Sequence, residues 1–99
     1  MGNRISIQFE KDGEQSVCLF SHWGGMSFKA KADIYVADLK MERGDKESAP
    51  LDRLEPNTVM VDFIRYLTKD VKRVESNYYL GATDSDGDNS DNGHFVIKL

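Results

Sequence analysis

The chain has 99 residues, 30% of them charged and 39% hydrophobic, with a formal net charge of −4; that suffices for one domain with a single core. Its one cysteine, Cys18, excludes an intramolecular disulfide and a thiolate zinc cluster, and its apolar runs fall short of the ~18 residues a membrane span needs. The mild acidity gives no long-range attraction to nucleic acid, and Met1-Gly2-Asn3-Arg4 runs directly into a strand pattern instead of a secretory segment, so one soluble, cytoplasmic domain over residues 1–99 is expected.

Ile5, Ile7 and Phe9 alternate with polar residues, a period of two that predicts a first strand over 3–10, and 15–22 is a second strand-rich run. Between them, Asp12-Gly13 is the preferred centre of a two-residue hairpin turn. Pairing Lys11 with Glu14 and counting back sets Ile7 opposite Cys18 and Ile5 opposite Phe20, so these four share the core face with Phe9. Val17 and Leu19 then lie on the other face, which predicts a second strand covered on both sides or meeting a partner. Cys18 reads as a buried small hydrophobe.

Residues 26–43 are rich in Ala, Lys, Leu and Met over more than four turns and predict a helix ended by Gly44. Phe28, Ala32, Tyr35 and Leu39 form one apolar stripe; Ala30, Ile34, Ala37 and Met41 form another nearly opposite. A helix apolar on two sides needs two things to bury against. One is the sheet; the other is either the second helix or, in a homodimer, another protomer.

Residues 45–55 read as a polar connection with Leu51 and Leu54 tacked onto the body. Pro56 suits the first turn of a second helix, along which Met60, Phe63, Ile64, Leu67 and Val71 make an amphipathic stripe. Residues 73–83 predict a third strand and 94–99 a fourth, joined by the tract Asp84 to Gly93 as a hairpin loop. The order is β-β-α-α-β-β, an α+β two-layer sandwich with a four-stranded sheet and both helices on one face. Pairing of the first and last strands stays open. As parallel central neighbours they would gather Asn3, Arg4, His22, Trp23 and the loop from Asp84 to His94 at one rim; antiparallel pairing would scatter them.

Asp84, Asp86 and Asp88 repeat the i, i+2, i+4 spacing of a calcium loop, with Asp91 close behind. Asn89 and Phe95 stand where that pattern needs Gly and a bidentate Glu. These residues are the candidate site for a weakly held calcium or magnesium ion, against the alternative of a solvated turn-rich loop. His22-Trp23-Gly24-Gly25 hands a strand over to a helix, so free amides there could receive an anion beside His22. The alternative is that the glycines only permit the turn and Trp23 caps the core. His22 and His94, the two histidines, complete a candidate ligand set of Arg4, His22, Trp23, Gly24, Gly25 and His94. A Ser21–His22 catalytic pair is disfavoured, because neighbours on a strand point to opposite faces. Arg65, Lys69, Lys72 and Arg73 make a basic stripe diluted by Asp62 and Asp70, more in keeping with a solvated face than with nucleic-acid binding.

With Asn3-Arg4, Ser21-His22-Trp23-Gly24-Gly25, Arg53-Leu54-Glu55-Pro56, Val61-Asp62-Phe63-Ile64 and Asp91-Asn92-Gly93, the chain resembles a group of small uncharacterised proteins encoded by bacteriophages, prophages and archaea. The resemblance implies a mobile-element or host-interaction context, with no activity and no catalytic residues to carry over. The expectation is a small non-enzymatic binding or accessory protein for an unknown small ligand or protein partner. The alternatives are a metal-assisted hydrolase or nucleotide-processing enzyme at the same rim, and a nucleic-acid binder using the basic second helix.

Overall fold

A computed structural model describes residues 2–43, 53–74 and 77–99. The elements are β1 (Ile5–Lys11), β2 (Glu14–Gln15), β3 (Cys18–Ser21), α1 (Gly25–Arg43), α2 (Pro56–Thr68), β4 (Tyr78–Gly81) and β5 (His94–Lys98). They form an α+β sheet-and-helix sandwich. Gly44 and Leu51 lie outside the described residues.

The hairpin turn forms at Asp12 and Gly13, both with positive φ, and Lys11 faces Glu14. The register then slips. Glu10 faces Gln15, but Ile7 faces Leu19 where an unbroken hairpin would put Cys18. Ser16 and Val17 are the cause, because they insert one extra residue as a β-bulge that splits the expected second strand into β2 and β3. The Ser16 Oγ accepts from the Phe9 amide at 2.9 Å, and the Val17 amide leaves the ladder to donate to Asn57 Oδ1 of α2 at 2.9 Å.

The slip reverses the faces expected for β3. Leu19 joins Ile5, Ile7 and Phe9 under the helices, whereas Cys18 and Phe20, both fully buried, point to the outer face of the sheet. All four β3 residues are buried, so this strand is covered on both sides.

Both helices pack on the inner face. From α1 come Phe28, Ala32, Tyr35, Val36 and Leu39; from α2 come Val59, Met60 and Phe63, with the Phe63 ring edge-on to Phe9 at 5.6 Å. Leu54 closes the core from the connection, at a φ of 50°. The second stripe of α1 is different, for Ile34 and Met41 are 56% and 81% exposed and Ala30 and Ala37 are exposed too. Helix α2 ends at Thr68, where Thr68 Oγ1 bonds to the Ile64 carbonyl and the Val71 amide turns back to Thr68. Val71 is therefore exposed beyond the helix instead of extending its buried stripe.

The sheet runs β5-β1-β3-β4, with β2 pairing the end of β1. β1 and β4 are antiparallel to β3, and β5 lies beside β1 in parallel register from Ser6↔His94 to Glu10↔Lys98. The strands on either side of the acidic tract are thus separated by β3 and β1. The tract is not the tip of a hairpin. It must leave the end of β4, travel back along the strands, and cross two of them to start β5. It does so over the outer face, opposite the helices, and becomes the cover that Phe20 and Cys18 require.

Candidate functional site

One end of the sheet gathers the start of β1, the end of β3 and the starts of β4 and β5, so Arg4, His22, Trp23, Asn77 and the segment leading to His94 share a rim. Arg4 reaches into the tract. Its Nη1 lies 2.5 Å from Asp88 Oδ2, and its Nε and backbone N both donate to Asp91 Oδ2 at 3.0 Å. The Arg4 carbonyl in turn receives the Asn92 amide at 3.0 Å. Hydrogen bonding to Asp91 and the charge of Asp88 push the Arg4 guanidinium further from deprotonation. Asp88 is held below the usual carboxylate range first by the Ser90 hydroxyl and amide, and Asp91 by the Arg4 amide and side chain.

These bonds decide what the aspartates can do. Asp86 Oδ2 accepts the Thr83 amide at 2.8 Å, Asp88 Oδ1 accepts the Ser90 amide at 3.0 Å and the Ser90 hydroxyl at 2.7 Å, and Asp91 is turned to Arg4. Asp84, Asp86, Asp88 and Asp91 do not converge, and among the described residues no group of three or more His, Cys, Asp or Glu side chains is gathered as a metal site. The i, i+2, i+4 spacing needs a tightly coiling backbone to aim its carboxylates inward. Here the tract is drawn out across the sheet, and the carboxylates of Asp86, Asp88 and Asp91 serve turns and Arg4.

Two glycines allow that approach. A Cβ at Gly87 would sit 2.6–2.8 Å from the Tyr79 ring, the Tyr79 hydroxyl and Phe20, and one at Gly81 would sit 2.8 Å from Phe20 and Asp86. Phe20 and Tyr79 stack nearly parallel, 4.9 Å apart, and the Tyr79 hydroxyl accepts the Asp88 amide at 2.8 Å. The His22 ring continues the column, 5.1 Å from Tyr79 and 6.0 Å from Trp23.

Under the tract runs a polar chain that the sequence reading did not find. Asn89 Nδ2 donates to Ser6 Oγ at 2.8 Å; Ser6 Oγ lies 2.7 Å from His94 Nδ1; His94 Nε2 lies 2.8 Å from Gln8 Oε1; Gln8 Nε2 donates to the Ser16 carbonyl at 3.0 Å. A neutral imidazole satisfies every link, with Ser6 donating to Nδ1 and the proton on Nε2 going to Gln8; a charged ring would keep the same contacts but take from the Ser6 hydroxyl hydrogen its acceptor in this chain. Burial accordingly lowers the His94 pKa, opposed only by the charge of Asp84. The signal for this chain was the pair of polar residues Ser6 and Gln8 on a strand with two covered faces. Only the register with β5 shows that His94 meets them.

Ser6 is fully buried, and so is Cys18, whose thiol is pushed up first by burial and then by Asp84 and Asp86. Neither is presented as a nucleophile.

The turn into α1 is pinned from several sides. The Asn3 amide donates to the His22 carbonyl at 2.9 Å, the Trp23 amide to Asn77 Oδ1 at 3.2 Å, the Gly24 amide to Ser21 Oγ at 2.9 Å and the Gly25 amide to the Asn3 carbonyl at 2.9 Å. The glycine amides that were candidates for an anion are therefore already bonded. Gly24 has no room for a Cβ, which would fall 2.6 Å from Phe28, and Gly25 has a φ of 57°. Ser21 also bonds to Asn77, on the face away from His22. Trp23 does not cap the core; it is 59% exposed, beside Gly2.

The basic residues after Asp62 do not form one helical stripe. Arg65 pairs with Asp62 at 2.9 Å, the Lys69 ammonium lies over the Tyr66 ring, and Lys72 and Arg73 follow the helix, beside a cleft of about 560 Å³ with Leu67, Val71, Val74, Asn77 and Tyr78. No helix among the described residues is long and apolar enough to cross a membrane. No protein-family model matches the chain, and searches of the curated proteins and of the solved structures find no similar one.

Proposed function

We propose that this is a small non-enzymatic binding or accessory protein whose working surface is the rim around Trp23. The observation that carries the reading is the exposure of this single tryptophan on a turn whose neighbouring backbone groups are held by Asn3, Ser21 and Asn77. A rigid, exposed aromatic loses little conformational freedom when a partner covers it, and tryptophan is enriched among residues that dominate binding energy. His22 on the Tyr79–Phe20 column extends the platform, and the Arg4–Asp88–Asp91 cluster supplies a polar border.

The groups that a hydrolase would use support this reading over the enzymatic one. Asp86, Asp88 and Asp91 serve Arg4 and the turns, and His94 sits within a chain of hydrogen bonds. The mobile-element context rests on the sequence resemblance alone, and the nucleic-acid reading is the weaker one because Arg65, Lys69, Lys72 and Arg73 do not form one helical stripe.

The test is a titration of the labelled protein with nucleotides, calcium, magnesium, zinc and short acidic and basic peptides, followed by amide NMR and Trp23 fluorescence. Shifts centred on Arg4, His22 to Gly25 and Asp88 to Gly93, lost in Trp23→Ala, support the rim. Binding that shifts only residues remote from it contradicts the proposal, as does turnover of any nucleotide in the panel.

A further inference from the structure

The exposed side of α1 carries evenly spaced small and large residues in an order that an inverted copy complements. We infer that it pairs with the same face of a second copy, with the two α1 helices antiparallel. Ala30, Ile34, Ala37 and Met41 follow at spacings of four, three and four. At 100° per residue they centre roughly 170° from the buried stripe of Phe28, Ala32, Tyr35, Val36 and Leu39. They recur as alternate core positions of a coiled-coil seam, small then large. A two-fold axis crossing the helix opposite the Tyr35–Val36 peptide sets Ile34 against the partner's Ala37 and Ala30 against the partner's Met41. Each large side chain then meets a small one.

The charges beside the seam name the occupant. Lys31 and Asp38 flank it on one side, Asp33 and Lys40 on the other, all four exposed. Antiparallel pairing brings Lys31 to the partner's Asp38 and Asp33 to the partner's Lys40, and symmetry makes each pair occur twice. A parallel pair would instead set Asp33 beside the partner's Asp38, two like charges. Within one chain Asp33 already accepts from Lys29 at 2.6 Å, so in the dimer its carboxylate would lie between two ammonium groups. The same apolar face could have been flanked by charges of one sign. Here the signs are those that only an inverted copy of itself completes.

A single pair of helices covers less than the ~1,200 Å² of a tight interface, which places the affinity in the micromolar range or weaker. The Trp23 turns, at the start of each α1, would stand about 37 Å apart along the helix axes, at opposite ends of the assembly. The dimer claim does not depend on what the rim binds.

Sedimentation velocity of the full chain from about 10 μM to 1 mM provides the test. A concentration-dependent dimer is expected, absent in Ile34→Asp. Lys31→Asp and Asp38→Lys should each weaken it about ten-fold, and the double reversal should return it to within about three-fold of the parent, because the exchanged charges again face each other. All three substituted positions are on the surface, and unchanged circular dichroism would confirm folding. A monomer over the whole range, a dimer indifferent to the single reversals, or a double reversal no tighter than the singles would overturn the inference.

Discussion

Gly87→Ala separates a tract clamped to the sheet from a free surface loop by the sign of its effect. In a loop free of contacts, replacing a glycine whose φ is not positive stabilises by about 0.4–1 kcal/mol, since alanine restricts the unfolded chain. At Gly87 the new methyl group would fall 2.6 Å from Tyr79 Cε2, 2.7 Å from its hydroxyl and 2.8 Å from Phe20 Cδ2. Tyr79 has little room to yield, being stacked between Phe20 and His22 and bonded to the Asp88 amide. Overpacking of this kind costs about 1–3 kcal/mol, and a lost Tyr79–Asp88 bond adds about 1. Less the unfolded-state gain, the net loss is about 1–3.5 kcal/mol, a fall in Tm of roughly 5–25 °C for a domain of this size. Urea denaturation gives the free energy, and proton NMR of the Phe20 and Tyr79 rings shows whether the stack has moved. Tyr79→Leu in the Gly87→Ala background should recover part of the loss. A neutral or stabilising Gly87→Ala would refute the close packing of the tract.

Two further outcomes follow from the same face of the sheet. Because the native state holds the His94 pKa below 6.5, the unfolded state takes up the proton first; stability present above pH 6.5 falls as pH drops toward the native pKa. Urea midpoints between pH 8 and pH 5 should decline more steeply for the parent than for His94→Gln, and equal slopes would contradict the neutral, half-buried imidazole. Cys18, fully buried beneath the tract with its thiol pushed up, should react with an aromatic disulfide reagent only on unfolding. Rapid stoichiometric labelling of the native protein would show that the cover is open.

What the sequence made legible was local. Asp12-Gly13 specifies its turn with two residues, Pro56 opens its helix, and the spacing of Phe28, Ala32, Tyr35 and Leu39 marks a buried face. The failures were non-local. A single inserted residue at Ser16–Val17 reverses every side chain of β3, and nothing in those two residues announces that Asn57, forty positions on, will take the stray amide. The composition of Asp84 to Gly93 suits any exposed turn and predicts a hairpin tip, whereas its role as a cover follows from strand order. Val71 continued the α2 periodicity beyond Thr68, a pattern that tertiary packing did not honour. Of the candidate site, Arg4 meets the tract and His22 and Trp23 stand at the same end of the sheet, while Asp86, Asp88 and Asp91 face Arg4 and the donors of their own turns. That Ser6 and Gln8 are partners of His94 depends on the parallel register of β1 and β5, which local sequence does not encode.

Backbone order parameters for residues 84–93, from ¹⁵N relaxation of the unliganded protein, test the central claim most directly: that an acidic crossover, fastened by Arg4 and Tyr79, holds the rim in shape before anything binds. Values near 0.85, equal to those of the strands, are predicted; values below about 0.6 would mean that the tract is a loose loop and contradict the account.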